Sequence, residues 1–146
     1  MTQTWIVVAD SAHARVFTRT GPRGPIVESR DMVHPASQLH DRDIASDRQG
    51  RTVDRSRGGA RHAMEPASHP KDLAAKVFAR EVTALLESGR SSGTVDAIVL
   101  IAAPHFLGQL RQGLSEATRR LVVREIPKDL VRHSAKEIAE HVDAKE

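Results

Sequence analysis

Val95-Asp96-Ala97-Ile98-Val99-Leu100-Ile101-Ala102-Ala103-Pro104-His105-Phe106-Leu107 decides the fold class of this chain. From Val95 to Ala102 the residues are almost all apolar, with no polar alternation, which is the pattern of a strand covered on both faces. Ala103-Pro104 follows at once, and proline suits the first turn of a helix because its missing N–H would have no partner there. Phe106, Leu107, Leu110 and Leu114 then recur at helical spacing. A buried strand that leads straight into an amphipathic helix is an α/β unit.

The flanking segments extend this reading. Thr4 to Ala9 (Thr-Trp-Ile-Val-Val-Ala) has the same unbroken apolar character and predicts a second central strand. Asp10-Ser11 supplies turn chemistry, and His13 to Thr20 reads as a strand with Ala14 and Val16 set against Arg15 and Phe17. Gly21-Pro22-Arg23-Gly24-Pro25 is a turn before a third strand, from Ile26 to about Val33. Connections this short make neighbours antiparallel, so the N-terminal third is a three-stranded meander. Further on, Pro70 opens a helix with the stripe Leu73, Val77, Phe78, Val82, Leu85 and Leu86, which Ser88-Gly89 closes. Leu121 to Ile126 is a last strand stopped by Pro127, and Ser134 caps a final helix with Ala135, Ile138, Ala139 and Val142 inward. The predicted order is β-β-β-α-β-α-β-α around a five-stranded mixed sheet, as one domain over residues 1–146 without internal repeats.

Composition excludes several classes of function. At 146 residues the chain can bury roughly two thirds of its unfolded surface without metal or disulfide staples. Cysteine is absent, which removes disulfides, thiolate nucleophiles and cysteine metal sites. Met1-Thr2-Gln3-Thr4 lacks the charge of a secretory leader, and Trp5 to Ala9 is too short for its apolar region. Ala97 to Ala103, the longest apolar run, is far below the ~20 residues of a spanning helix. A soluble cytoplasmic protein without membrane contact is expected. No Gly-x-x-x-x-Gly-Lys-Ser/Thr, Gly-x-Ser-x-Gly or His-Glu-x-x-His string occurs, so nucleotide hydrolase, serine hydrolase and zinc protease readings have no motif beneath them.

Between the third strand and the helix at Pro70, from about residue 35 to 70, the chain loses all apolar periodicity. A connection this long is uncommon in a compact domain and is usually functional or disordered. Within it, Arg48-Gln49-Gly50-Arg51-Thr52-Val53-Asp54-Arg55-Ser56-Arg57-Gly58-Gly59-Ala60-Arg61-His62 holds five arginines and one acid, a local net charge of +4. The whole chain reaches only +3. Arginine's planar fork matches phosphate, and a glycine pair lets a backbone come close to a ligand. Arg48, Arg51, Arg55, Arg57, Gly58, Gly59, Arg61 and His62 are therefore the candidate phosphate or RNA contacts. With one Trp, three Phe and no Tyr, the chain has little from which to build a base-stacking platform.

Trp5-Ile6-Val7-Val8-Ala9-Asp10-Ser11-Ala12-His13-Ala14-Arg15-Val16-Phe17, Ser46-Asp47-Arg48-Gln49-Gly50-Arg51, Gly58-Gly59-Ala60-Arg61-His62, Ala103-Pro104-His105-Phe106-Leu107-Gly108-Gln109-Leu110-Arg111 and Glu125-Ile126-Pro127-Lys128-Asp129-Leu130 stand in an order that resembles the host attachment proteins. That family is similar to the middle domain of archaeal and eukaryotic class-1 translation release factors, a mixed sheet of ribonuclease H-like type. The resemblance implies that the long loop corresponds to the one whose Gly-Gly-Gln tip enters the peptidyl-transferase centre. Here Gly58-Gly59 is followed by Ala60, and a methyl group can neither orient a water nor bond a leaving group.

Other clusters carry weaker chemistry. Asp10, Ser11 and His13 sit together, but neighbours on a strand and turn diverge, so Asp10 reads as a turn former rather than part of a triad. His40, Asp41, Asp43 and Asp47 hold metal-type ligands, with Arg42 and Arg48 beside them to neutralise the acids. His133, Glu137 and His141 recur every fourth residue. On one helix they would span about 12 Å, too far for a single ion, so they read as a solvated face. Pro104-His105 with Gly108 opens a helix whose free N–H groups suit an anion, though an ordinary crossover start has the same sequence. No catalytic residue, metal or cofactor is assigned.

Three functions are carried forward. The first is a non-enzymatic module that binds the ribosome or structured RNA through the arginine- and glycine-rich loop. The second is a protein-interaction factor supporting attachment to a host cell, and the third a weak peptidyl-tRNA hydrolase.

Overall fold

The computed structural model describes residues 2–34 and 70–144. A five-stranded mixed sheet in the order β3-β2-β1-β4-β5 is formed by β1 (Gln3–Ala9), β2 (His13–Thr20), β3 (Val27–Val33), β4 (Ala97–Ala102) and β5 (Val122–Ile126). The helices are α1 (Pro70–Ser91), α2 (Pro104–Gly113), α3 (Glu116–Arg119) and α4 (Ala135–Asp143). The element order therefore differs from the expected one: a single-turn helix, α3, lies between α2 and β5. Four residues are too few to display a 3.6-residue period. The signal for α3 is its cap, where the Thr118 N–H donates to Ser115 Oγ at 3.2 Å.

β1 and β4 pair in parallel from Thr4 opposite Ala97 to Ala9 opposite Ala102. β2 flanks this pair antiparallel to β1, and β5 flanks it parallel to β4. Because side chains alternate across a strand, Val7, Ala9, Ile98, Leu100 and Ala102 enter one core with Phe78, Val82 and Leu86 of α1 and Phe106, Leu107 and Leu110 of α2. Ile6, Val8, Val99 and Ile101 enter a second core with Leu130, Val131 and Ile138, under α4. Both faces being covered, the two strands need no polar side, which is why their sequences show no alternation.

β2 supplies the ties that hold α4. Phe17 is fully buried in the second core, with Arg15 and Arg19 on the same strand face. Arg15 Nη1 donates to the Val131 and His133 carbonyls at 2.8 and 2.6 Å. Its Nε and Nη2 donate to Glu28 of β3 at 2.9 and 3.1 Å. This guanidinium, helped by Asp31, holds the Glu28 carboxyl down at about 2. Arg19 grips Asp143, the last residue of α4, at 2.8 and 3.2 Å. At its start α4 carries a reciprocal cap: the Glu137 N–H donates to Ser134 Oγ and the Ser134 N–H to Glu137 Oε1. Ile138 is fully buried, with Ala135 and Val142 packed beside it and Ala139 half-buried.

α1 is fastened to α3 through Glu87. Its Oε1 accepts from Thr118 Oγ1 at 2.6 Å and Ser115 Oγ at 2.9 Å, and its Oε2 accepts from the Ser115 N–H at 2.7 Å. Burial pushes this carboxyl up, but the hydrogen bonds outweigh it and leave it at about 2.

The end of α1 corrects the expectation that Ser88-Gly89 closes it. The helix continues to Ser91 and stops at Gly93, whose φ of 74° is the left-handed conformation glycine adopts without penalty. The Thr94 N–H donates to Gly89 O at 2.9 Å and the Gly93 N–H to Arg90 O at 3.1 Å, the paired bonds of a Schellman end. Gly89 has a different purpose. A Cβ there would lie 2.5 Å from Trp5 Cη2 and 2.7 Å from Cζ3. By propensity alone Gly89→Ala would stabilise the helix by about 1 kcal/mol. The indole contact reverses the sign, so Gly89→Ala is expected to lower unfolding stability by about 1–3 kcal/mol, with much of the loss recovered when Trp5→Leu is added. Urea denaturation of the single and double variants checks this; an unchanged or raised midpoint for Gly89→Ala contradicts it.

Candidate functional site

Arg48, Arg51, Arg55, Arg57, Gly58, Gly59, Arg61 and His62 lie outside the described residues, as do His40, Asp41, Asp43 and Asp47. The described residues form the frame into which that segment is inserted, at His34 after β3 and Pro70 at the start of α1. The His34 N–H donates to Ala12 O at 2.9 Å, binding the exit point to the β1–β2 turn. Asp10 builds that turn: its Oδ1 accepts from the Ala12 and His13 N–H groups at 2.9 and 2.7 Å. The same oxygen is 3.7 Å from His13 Nδ1, beyond hydrogen-bond reach. Asp10 is thus a turn former, as its sequence context indicates.

The His34 side chain carries more of the frame than its sequence context suggests. The residue is 3 % exposed, its ring stacks on Phe78 at 5.2 Å between centroids, and Phe78 lies 6.2 Å from Phe106. Among the described residues neither ring nitrogen makes a hydrogen bond, and Nδ1 is 3.8 Å from Glu81 Oε1. Buried nitrogens without partners cost about 1–3 kcal/mol each. Nothing local singles out His34 in the sequence, because Phe78 and Glu81 reach it only after the chain has passed through the long connection.

Among the described residues, two of the cavities flank the frame. One, of about 340 Å³, is lined by His13, Arg15, Asp31, Met32, Val33 and Arg132. Arg15 is already engaged there by Glu28 and two carbonyls, so its charge is spent on the fold. The other, of about 240 Å³, lies between α1 and α2 and is lined by Lys76, Ala79, Arg80, Gln109, Gln112 and Gly113. The available sequence signals were Lys76 and Arg80 at i, i+4 and Gln109 and Gln112 at i, i+3, each pair on one helix face.

The trio His133, Glu137 and His141 needs a correction. His133 precedes the cap of α4 rather than lying in it, so spacing along one helix axis does not apply. The His133 and His141 rings meet edge to face at 6.2 Å, and His133 Nδ1 is 3.5 Å from Glu137 Oε1. Glu137 is held by the α4 cap, and among the described residues no group of histidine and carboxylate side chains is arranged to hold a metal. At the start of α2, Ala103 contributes no side-chain cap. No helix among the described residues is long and apolar enough to cross a membrane.

Residues 5–142 match the family described as proteins required for attachment to host cells. The chain belongs to that family. Among curated proteins, an uncharacterized protein of Rickettsia prowazekii (strain Madrid E) is 36 % identical to this chain over 73 residues. That alignment covers 49 % of this chain and 49 % of the Rickettsia protein, so the chain matches about half the length of this relative. Among solved structures, 97 % of the chain superposes on an archaeal translation termination factor with TM-score 0.46 and 9 % identity, covering 38 % of it. A chain titled only as an archaeal protein gives TM-score 0.43 and 9 % identity, with 37 % of it covered.

His34→Phe keeps the stack on Phe78 and removes two nitrogens that have no partner among the described residues. It is expected to leave unfolding stability unchanged or to raise it by about 1 kcal/mol, whereas His34→Ala should lower it by about 2–4 kcal/mol through lost packing. Thermal and urea melts measure both. A loss of more than about 1 kcal/mol in His34→Phe would show that a ring nitrogen has a partner the fold depends on.

Proposed function

We propose that this member of the host attachment family is a single-domain, cytoplasmic, non-enzymatic module that associates with RNA or the ribosome through Arg48, Arg51, Arg55, Arg57, Gly58, Gly59, Arg61 and His62. The observation that carries the reading is the arginine-only charge of the segment from Arg48 to His62: five arginines against Asp54. Predominantly positive charge of this density finds its complement in a phosphate backbone, where each arginine fork can bond two oxygens. The frame supports the reading as well. His34 and the start of α1 fix the two ends of the inserted segment to a rigid sheet and helix, and sites carried on rigid elements lose less entropy on binding. An antiparallel meander followed by two parallel strands supports assigning the sheet to the ribonuclease H-like, release-factor middle-domain type. Ala60 offers no group to activate water, so no hydrolytic step is assigned to the loop.

The family's description favours a second reading, a protein-interaction factor that supports attachment to a host cell. Co-sedimentation with ribosomes separates the two. The wild-type chain is expected to pellet with ribosomes at low salt and to be released at high salt. A variant with Arg51, Arg55, Arg57 and Arg61 changed to alanine should stay in the supernatant throughout. Equal pelleting of the variant removes the arginines from the mechanism. Absence of the wild type from every ribosomal fraction, with recovery at the cell surface, replaces this reading with the second.

A further inference from the structure

The cleft between α1 and α2 has two chemically distinct walls. Lys76 and Arg80 stand one turn apart on α1, both exposed, and neither forms an ion pair or hydrogen bond through its side chain among the described residues. The acid nearest to Arg80 in sequence, Glu81, is directed at His34 instead. On the opposite wall Gln109 and Gln112 present carboxamides from α2. Gln109 Oε1 is shielded from solvent and has no hydrogen-bond partner among the described residues. The helices come close at the cleft's end, where Gly113 has no side chain to push against Thr83: a Cβ there would meet Thr83 Oγ1 at 3.1 Å.

These walls ask for different things from a ligand. Two exposed cations with no acid paired to them among the described residues suit an acceptor with negative charge. A carboxamide both donates and accepts hydrogen bonds, so it suits a ligand that carries hydroxyls or amines beside its charge. One ligand meets both demands if it joins a phosphate to a hydroxyl or amine a few ångströms away, as a ribonucleotide does with its ribose hydroxyls and base edge. A cavity of about 240 Å³ is below the usual range for a drug-sized molecule and suits one such unit. Its position agrees: Lys76 and Arg80 lie six and ten residues past Pro70, about 9 and 15 Å along α1 from the point where the arginine-bearing segment rejoins the fold.

We propose that this cleft binds the ribose phosphate of a ribonucleotide unit, with Lys76 and Arg80 on the phosphate and Gln109 and Gln112 on the ribose hydroxyls and base edge. The unit comes from an RNA strand or a free nucleotide, since both carry the same chemistry. The inference rests on the RNA reading above for its biological source and on the cleft alone for its chemistry.

The test is an NMR titration of the full chain, following the side-chain amide signals of Gln109 and Gln112, with AMP, 2′-deoxy-AMP, inorganic phosphate and an eight-nucleotide RNA. AMP or the RNA should shift both amides saturably, and the 2′-deoxy ligand and phosphate should bind more weakly. Lys76→Ala with Arg80→Ala should weaken binding about tenfold. Both residues are exposed, so the double variant is expected to fold, and its amide spectrum reports whether it has. Shifts with RNA alone assign the site to a strand, and shifts with AMP as well extend it to free nucleotides; both support the proposal. Amides unmoved by AMP and RNA alike, affinity unchanged in the double variant, or phosphate binding as tightly as AMP would overturn it. The loop variant Arg51→Ala/Arg55→Ala/Arg57→Ala/Arg61→Ala separates the two readings. Cleft shifts that persist without loop-dependent ribosome association leave the cleft standing alone, and loop-dependent association with a silent cleft leaves only the loop.

Discussion

The parallel pairing of β1 with β4, buried on both faces, is the constraint on which the rest of the molecule depends. Ile6 to Ala9 and Ile98 to Ala102 expose almost nothing, so each face of the sheet must be covered by a separate layer. α1 and α2 cover one face and α4 the other. A parallel pair also cannot be joined by a hairpin, so β4 must be reached by a crossover. That crossover contains the meander's remaining strands, the long connection and α1. The segment with the chain's densest positive charge is therefore inserted in a stretch that topology already required to be long.

The outer strands and helices translate this constraint into a frame. β2 holds both ends of α4 from one strand face, through Arg15 at its approach and Arg19 at its last residue. At the opposite layer, His34 seats the exit of the inserted segment on Phe78 of α1, and α1 also forms one wall of the cleft with α2. A single helix thus receives the returning chain, anchors its departure point and displays Lys76 and Arg80.

How much of this was legible in the sequence followed from the range of the interaction involved. β1, β4 and α2 were readable because unbroken apolar runs and a proline at a helix start are local signals. So was Asp10, whose carboxylate bonds backbone two and three residues away. Gly89 was misread as a stop because the reason for it, the Trp5 indole, comes from the other end of the chain. Gly93 is the local terminator that its position concealed. His133 and His141 were placed too far apart by counting along one helix, whereas the chain turns before the Ser134 cap. His34 and the Lys76, Arg80, Gln109 and Gln112 cleft carried no sequence motif. Their significance arises from the packing of α1 on His34 and on α2, which periodicity does not describe. The arginine segment was conspicuous in sequence for the opposite reason: it has composition but no periodicity.

The central claim is that the chain recognises RNA by phosphate contacts made from the arginine segment. Its most direct test is the dependence of RNA affinity on salt, measured by fluorescence anisotropy with a single-stranded RNA. Each phosphate neutralised contributes about −0.7 to the slope of log K against log salt concentration. The account predicts a steep slope for the wild-type chain, reduced by about 0.7 for each arginine contact removed when Arg51, Arg55, Arg57 and Arg61 are replaced by alanine. A shallow slope, or a slope that the replacement leaves unchanged, would contradict it.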